Sequence, residues 1–217
     1  MVQPQSLQVL RAAHTALVSD ICDDLGVASP MLARTIQRVA GSHEVPVVGS
    51  AYPCIVEATD AHVEIDTLLE MVGSIPAGSV PIVVAVEGFP ASLWGGLMSA
   101  GAAHRGALGA VTNGLVRDID QIDRLGFPVF GTGRTALDIR RRGAMRSYGV
   151  AVDVGTRRVN TGDVVVADGN GVAVLEVGVA DAVAGRCAER LAGEEATLRG
   201  LLSGHSPRQL FDEFGQF

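Results

Sequence analysis

An uncharged run, GALGAVTNGLV from Gly106 to Val116, ends in an adjacent cation and anion, Arg117 and Asp118. A strand leaving a buried sheet brings its last residues to one edge, where α/β proteins collect ligands. Asp118 would offer an oxygen there to a hard cation, and Arg117 a planar fork that holds a carboxylate through two bonds. Asp118 also opens the helical stretch IDQIDRL, so capping that helix is a second use for its carboxylate. Capping accounts for Asp118 and leaves the neighbouring Arg117 unexplained.

Two further stretches could take an anion. In WGGLMS, Trp94 to Ser99, Gly95 and Gly96 precede a helix and leave backbone N–H groups bare. Close helix packing would use the same glycines equally well. GTGRTA, Gly131 to Ala136, matches G-x-G-x-x-A, with Asp153 about 20 residues further on. The basic run between them and the hairpin-rich remainder do not build a nucleotide-binding half, so a glycine-containing loop is the better reading. That run, Arg140 to Arg142, reads as a solvated turn or helix end, with an anion contact as the alternative. His14, His43, His62, His104 and His205 never fall at H-x-x-x-H spacing, and no serine sits in a G-x-S-x-G elbow.

The elements that would carry these residues alternate. SLQVLRAAHTALVSDICDDLG reads as helix, with Ser19 a cap before DICDDL and Gly26 a stop. VPVVGSAYPCIVEA reads as a strand interrupted by Pro53. HVEIDTLLEMVG spaces Val63, Ile65, Leu68, Leu69 and Val72 as one helical face. VPIVVAVEG is a buried strand, SLWGGLMSAGAAHRG a helix of small residues, ALGAVTNG a strand, DIDQIDRLG a short helix and FPVFG a strand. Such alternation predicts α/β layering. YGVAVDVG, DVVVADGNG and VAVLEVG are short strands whose Asp-Gly and Asn-Gly turns favour hairpins. A closing helix, 179–204, carries Gly185 and Gly193, and the tail HSPRQLFDEFGQF carries Phe211, Phe214 and Phe217 for packing on a neighbouring subunit. With no internal repeat or linker, 1–217 reads as one domain, its core at about 16–204 and its tail at 205–217.

Bulk properties narrow the classes. The chain is 47 % apolar but only 4 % aromatic, so its core is mostly aliphatic. A net charge of −7 argues against nucleic acid, because phosphate neutralisation supplies most of that affinity. No stretch approaches the roughly 20 consecutive apolar residues of a membrane span, and the N-terminus has no secretory pattern. Cys22, Cys54 and Cys187 follow no metal-ligand spacing and read as free buried thiols of a cytoplasmic protein.

LVSDICDDLG, VVGSAYPCIVEA, LWGGLMSAGAAHRGALGAVTNGLVRDID, GFPVF and GDVVVADGNGVAVL, in that order, resemble the RraA-like family. The family includes class II pyruvate aldolases acting on 4-hydroxy-4-methyl-2-oxoglutarate and 4-carboxy-4-hydroxy-2-oxoadipate, and RraA, an inhibitor of ribonuclease E. The resemblance implies a layered α/β/α fold of the swivelling β/β/α type, assembled as trimers or hexamers with the active site between subunits. It implies a carbon–carbon lyase using Mg²⁺ or Mn²⁺ on a small 2-oxo acid, by aldol cleavage or β-decarboxylation, releasing pyruvate. On that reading Asp118 ligates the metal and Arg117 holds the pyruvate oxygen. Backbone N–H groups of the Gly95, Gly96, Leu97 and Met98 segment grip the carboxylate. Glu194 or Glu195 of a neighbouring subunit approaches the metal through water.

The resemblance also implies one departure. The aldolases carry an acid, twenty residues, then Arg-Asp; counting back from Arg117 lands on Gly96, which has no side chain. Asn113 likewise stands where the family commonly has Asp. A non-catalytic oligomer that binds a protein partner such as ribonuclease E is the alternative that Gly96 favours. Substrate contacts would come from the loops around 43–47 and 134–146.

Overall fold

The computed structural model describes residues 2–42, 46–61 and 65–215. The chain opens with α1 (Pro4–Ala12) and α2 (Thr15–Asp24), then β1 (Gln37–Ala40), β2 (Val47–Ala58), α3 (Asp66–Ser74) and β3 (Ser79–Val84). The middle holds β4 (Ser92–Trp94), α4 (Gly96–His104), β5 (Ala110–Thr112), β6 (Leu115–Val116), α5 (Ile119–Leu125), β7 (Val129–Gly131) and β8 (Gly133–Arg134). The last third holds β9 (Gly143–Tyr148), β10 (Val152–Val154), β11 (Arg157–Val159), β12 (Val164–Asp168), β13 (Gly171–Leu175), α6 (Val177–Leu202) and α7 (Pro207–Phe214).

One curled sheet of eight strands runs in the order β1-β7-β5-β3-β2-β12-β13, with β9 also on β2. Neighbours among β2, β3, β5 and β7 are parallel, and β3, β5 and β7 are buried throughout, as parallel strands covered on both faces must be. Inside the curl, Val80, Ile82, Val111, Phe130 and Val165 pack together, closed over by Val152, Val154 and Val159 of the β10–β11 hairpin. On the outer face α1, α2 and α6 cover Val48, Val164 and Leu175, while α3, α4 and α5 cover Tyr52, Val83 and Val129. The layers are therefore hairpin, sheet and helices, the β/β/α form of the expected fold. The expected Asp-Gly and Asn-Gly pairs, Asp168-Gly169 and Asn170-Gly171, fall together in the one connection that closes the β12–β13 hairpin, and a turn at Gly155 closes β10–β11.

Several local expectations change. Pro53 does not interrupt β2, because it sits where one edge of the strand changes partner. Residues Val47–Ser50 pair with β12 and Cys54–Ala58 with β9, so the missing N–H falls between the two ladders. Ser19 does not cap; it lies inside α2, whose buried Leu17, Val18, Ile21 and Cys22 make one continuous face. The cap is His14, whose Nδ1 accepts from the Leu17 N–H at 3.1 Å. In α3 the fully buried residue is Met71, and Leu69 is 58 % exposed; Val63 lies outside the described residues. Ser92 to Trp94 form a strand rather than part of the helix, because buried Trp94 stacks on Phe127 at 6.4 Å and its Nε1 donates to Ser99 Oγ at 2.8 Å.

The tail folds back on its own chain. Leu210 of α7 is buried against Gly200 of α6, and any side chain at 200 would have to displace the leucine's terminal methyl groups. Phe211 stays 47 % exposed, and Phe217 lies outside the described residues. All three cysteines are free and buried, and burial pushes the Cys54 and Cys187 thiols up to about 12. Among the described residues no helix is long and apolar enough to cross a membrane.

Candidate active site

Each central parallel strand hands the chain to a strand of a second, smaller parallel sheet. β3 leads to β4, β5 to β6 and β7 to β8, and the small sheet is ordered β4-β6-β8. The ends of β4 and β6 thus lie side by side, and the Arg117 N–H donates to the Trp94 carbonyl at 3.0 Å. That register sets Gly95 and Gly96, opening α4, against Arg117 and Asp118, opening α5. The loop after β8 folds over the same corner, where the Ser92 N–H donates to the Leu137 carbonyl at 3.0 Å. It delivers Asp138 and Arg140.

The four charged side chains form a chain of contacts. Arg117 Nε lies 3.2 Å from Asp118 Oδ2, and its Nη1 donates to Asp138 Oδ2 at 2.6 Å. Arg140 reaches the same carboxylate, Nη2 to Oδ2 at 3.1 Å and its backbone N–H to Oδ1 at 2.8 Å. Burial pushes the Asp138 carboxyl up, but the hydrogen bonds from Arg140 and Arg117 outweigh it and hold the group down at about 2. The hydrogen bond to Asp118, with a smaller one to Asp138, overcomes partial burial and raises Arg117, which stays charged.

A depressed carboxyl stabilises the fold above its unfolded value of ~3.9, and the contribution fades as pH falls towards the folded value. The stability difference between wild type and Asp138→Asn is therefore expected to be constant above about pH 5 and to shrink between about pH 4 and 2. Urea unfolding at pH 6, 4, 3 and 2 measures it; a difference that grows with acidity contradicts the pairing.

Asp118 stands at the N-cap position of α5, but its carboxylate does not cap that helix. Its backbone is left-handed, φ 59°, and its side chain makes no hydrogen bond to that helix. The carboxylate turns to the neighbouring helix instead, Oδ2 accepting from the Gly96 N–H at 3.1 Å. A non-glycine residue held at positive φ costs roughly 1–2 kcal/mol, least for Asp and Asn, and such residues cluster at functional sites. Asp118 is thus placed for the corner shared by the two helix starts.

Space explains Gly95. A Cβ there would stand 3.0 Å from Arg117 Cγ and 3.1 Å from Asp118 Oδ2. The N–H of Gly96 is taken by Asp118, while those of Leu97 and Met98 lie in the first turn of α4 and have no helical acceptor. Leu97 is 80 % exposed. Gly96 is buried, and the position its side chain would take is filled by the Gln121 amide, Oε1 standing 2.3 Å from an added Cβ.

A cavity of about 320 Å³ opens at this corner. Arg117, Asp118, Asp138, Arg140 and Gly95 form its polar end; Leu68, Leu93, Met98, Ile139 and Met145 form an apolar wall. Among the described residues no three His, Cys, Asp or Glu side chains cluster as metal ligands. One part-exposed carboxylate fits a hydrated Mg²⁺ or Mn²⁺, ions that keep several waters and take further ligands from substrate.

Other expected residues sit elsewhere. Asn113 ties strand ends together, Oδ1 accepting from the Ala85 N–H at 3.0 Å and Nδ2 donating to its carbonyl at 2.8 Å. Asp at 113 would lose the second bond. Within the chain Glu194 lies 3.6 Å from His14 and Glu195 lies 2.6 Å from Arg199, and neither lines the cavity. No helix follows GTGRTA, whose Gly133 and Arg134 form β8, so it is not a dinucleotide turn. Residues 43–45 of one expected substrate loop lie outside the described residues. Asp138 was missed by the sequence reading: it follows no motif, and only the basic run beside it hinted at an ionic corner.

The chain is 27 % identical over 177 residues to Protein DlpA of Legionella pneumophila, covering 79 % of this chain but 28 % of that protein. It is 27 % identical over 191 residues to a Halalkalibacterium halodurans protein provisionally named 4-hydroxy-4-methyl-2-oxoglutarate aldolase, covering 88 % of this chain and 86 % of that one. Among solved structures, Streptomyces coelicolor RraAS2, described as an unusual member of the RNase ES inhibitor RraA protein family, superposes with a TM-score of 0.77. It is 22 % identical, with 90 % of this chain and 96 % of that one covered, which speaks for the fold alone. The RraA-like family model, described as Aldolase/RraA, matches residues 15–174. With that match spanning most of its length, the chain belongs to the RraA-like family.

Proposed function

We propose that this corner is the active site of a divalent-cation-dependent lyase that cleaves a carbon–carbon bond in a small 2-oxo acid and releases pyruvate. The observation that carries the reading is Arg117 and Asp118 brought against the start of α4 at the mouth of a cavity. The N–H groups of Leu97 and Met98 hold the substrate carboxylate, helped by the positive end of the helix. Arg117, fixed by Asp118 and Asp138, directs its remaining nitrogen at the 2-oxo oxygen, where negative charge develops as the bond breaks. Asp118 is the carboxylate that holds Mg²⁺ or Mn²⁺. When bound, such a cation supplies further stabilisation of that developing charge. The apolar wall keeps water from the reacting carbon.

The first test is pyruvate release from oxaloacetate with Mg²⁺ or Mn²⁺, against EDTA and against the metal alone. Turnover that EDTA abolishes supports the reading; rates at the metal-only background sink it.

A homotrimer, or a hexamer built from it, belongs to the same proposal, with Glu194 or Glu195 of a neighbouring subunit completing the site. Exposed Leu97 at the cavity mouth, with Leu198 and Leu202 on α6, favours a covered surface. Light scattering is expected to give the mass of three or six chains, and a monomer would remove the shared site.

Gly96, where the aldolases have an acid, favours a second reading, a non-catalytic oligomer that binds a protein partner such as ribonuclease E. A specific complex with ribonuclease E in a pull-down, together with no turnover, would decide for it.

A further inference from the structure

The cavity beside Arg117 and Asp118 has two unlike halves. Its polar end carries two cations, Arg117 and Arg140, and two carboxylates, Asp118 and Asp138, so its charges cancel. Arg117 spends Nε on Asp118 and Nη1 on Asp138, and Arg140 grips Asp138 through Nη2 and its backbone N–H. The two charges of a bound Mg²⁺ or Mn²⁺ would be matched by the substrate's own carboxylate and by the charge that develops on the 2-oxo oxygen. Among the described residues that line the cavity, no uncompensated cation then remains for a second carboxylate.

The opposite half is apolar from floor to rim. Leu68 of α3, Met98 of α4 and Ile139 of the loop before β9 are half-buried there, packed on buried Val56, Leu93 and Met145. Each comes from a different segment, so the wall is built by the tertiary fold rather than by one helix face. Met98 belongs to both halves, because its N–H lies in the open first turn of α4 while its side chain joins the wall. A 2-oxo acid held at that turn and at Arg117 must therefore lay its remaining atoms along the apolar side.

We propose that the substrate is a 4-hydroxy-2-oxo acid whose C4 bears an apolar group, a short or branched alkyl chain, and no second carboxylate. The inference rests on the lyase reading and names the class of molecule that the site takes. Cleavage breaks the bond between C3 and C4, and its electron pair goes to C3 as the enolate of pyruvate. The C4 hydroxyl loses its proton to water as it becomes a carbonyl. C3 then takes a proton from water, leaving pyruvate and an apolar aldehyde or ketone. An alkyl group gains by burial on this wall, whereas an ionised carboxylate would give up its water there for no partner.

The test compares pyruvate release from two aldols of closely similar shape, with oxaloacetate as the reference. 4-Hydroxy-4-methyl-2-oxoglutarate has a carboxylate on C4, and 4-hydroxy-4,5-dimethyl-2-oxohexanoate has an isopropyl group in its place. The expected kcat/KM is at least about tenfold higher for the isopropyl compound, the discrimination that one or two buried carbons typically give. Leu68→Lys brings an ammonium to the wall on a flexible stem, and should shift that ratio about tenfold or more towards the carboxylate compound. Leu68→Ala removes contact without adding charge, and should lower turnover of the isopropyl compound about tenfold more than turnover of oxaloacetate. Melting temperatures show that both variants fold. Turnover of oxaloacetate with the carboxylate aldol preferred, with the two aldols used equally, or with both refused, overturns this inference and leaves the lyase reading standing. A preference for the isopropyl compound that neither folded variant moves overturns the wall as its cause. No EDTA-sensitive release from any of the three compounds overturns the lyase reading, and this inference with it.

Discussion

Asp118→Asn is expected to lower cation-dependent pyruvate release by about 10³-fold, with little change in melting temperature. Asparagine tolerates the left-handed backbone at φ 59° as aspartate does, and its side-chain oxygen can still accept from the Gly96 N–H. What it removes is the one carboxylate placed for a cation at the cavity and the charge facing Arg117 Nε. Asp118→Gly makes the complementary case. Glycine reaches positive φ without steric cost, so that variant should melt no lower than wild type while losing the same activity. Steady-state rates with Mg²⁺ beside thermal melts check both. Retained turnover in either variant removes Asp118 from the mechanism.

Arg117→Lys should lower kcat by about 10²- to 10³-fold and change KM far less. Arginine spends Nε on Asp118 and Nη1 on Asp138, and Nη2 has no partner among the described residues. Lysine has one nitrogen for all three tasks. Held by Asp138, it leaves the 2-oxo oxygen without its donor; turned to the substrate, it leaves the depressed Asp138 carboxyl with Arg140 alone. Charge that develops only as the bond breaks is felt in kcat, so the split between kcat and KM is the diagnostic. Rates within about twofold of wild type would place Arg117 outside the chemistry.

Part of this site was legible in the order of residues alone. An uncharged run that ends in Arg-Asp marks a buried strand surfacing at a sheet edge, and β5, β6 and α5 follow that pattern. Period and turn chemistry are properties of consecutive side chains, so the late hairpins, the buried β3 strand and the long α6 were readable in the same way. Cap and face assignments fared worse. Ser19, Leu69 and Asp118 each had a local role available, and packing against other elements overrode it in all three.

Tertiary structure decided the rest. Gly96 and Asp118 meet because β4 and β6 are parallel neighbours, a pairing that no local pattern encodes. Asp138 joins them because the loop after β8 hydrogen-bonds back to β4, which puts a carboxylate beside Arg117 from 21 positions away. The same geometry turns the vacancy at 96 into a contact, since Gln121 fills space that belongs to another helix. The sequence by itself determined which elements form and that an Arg-Asp pair stands at a strand end. Sheet register, set by the hydrophobic faces of strands far apart in the chain, determined which side chains surround that pair.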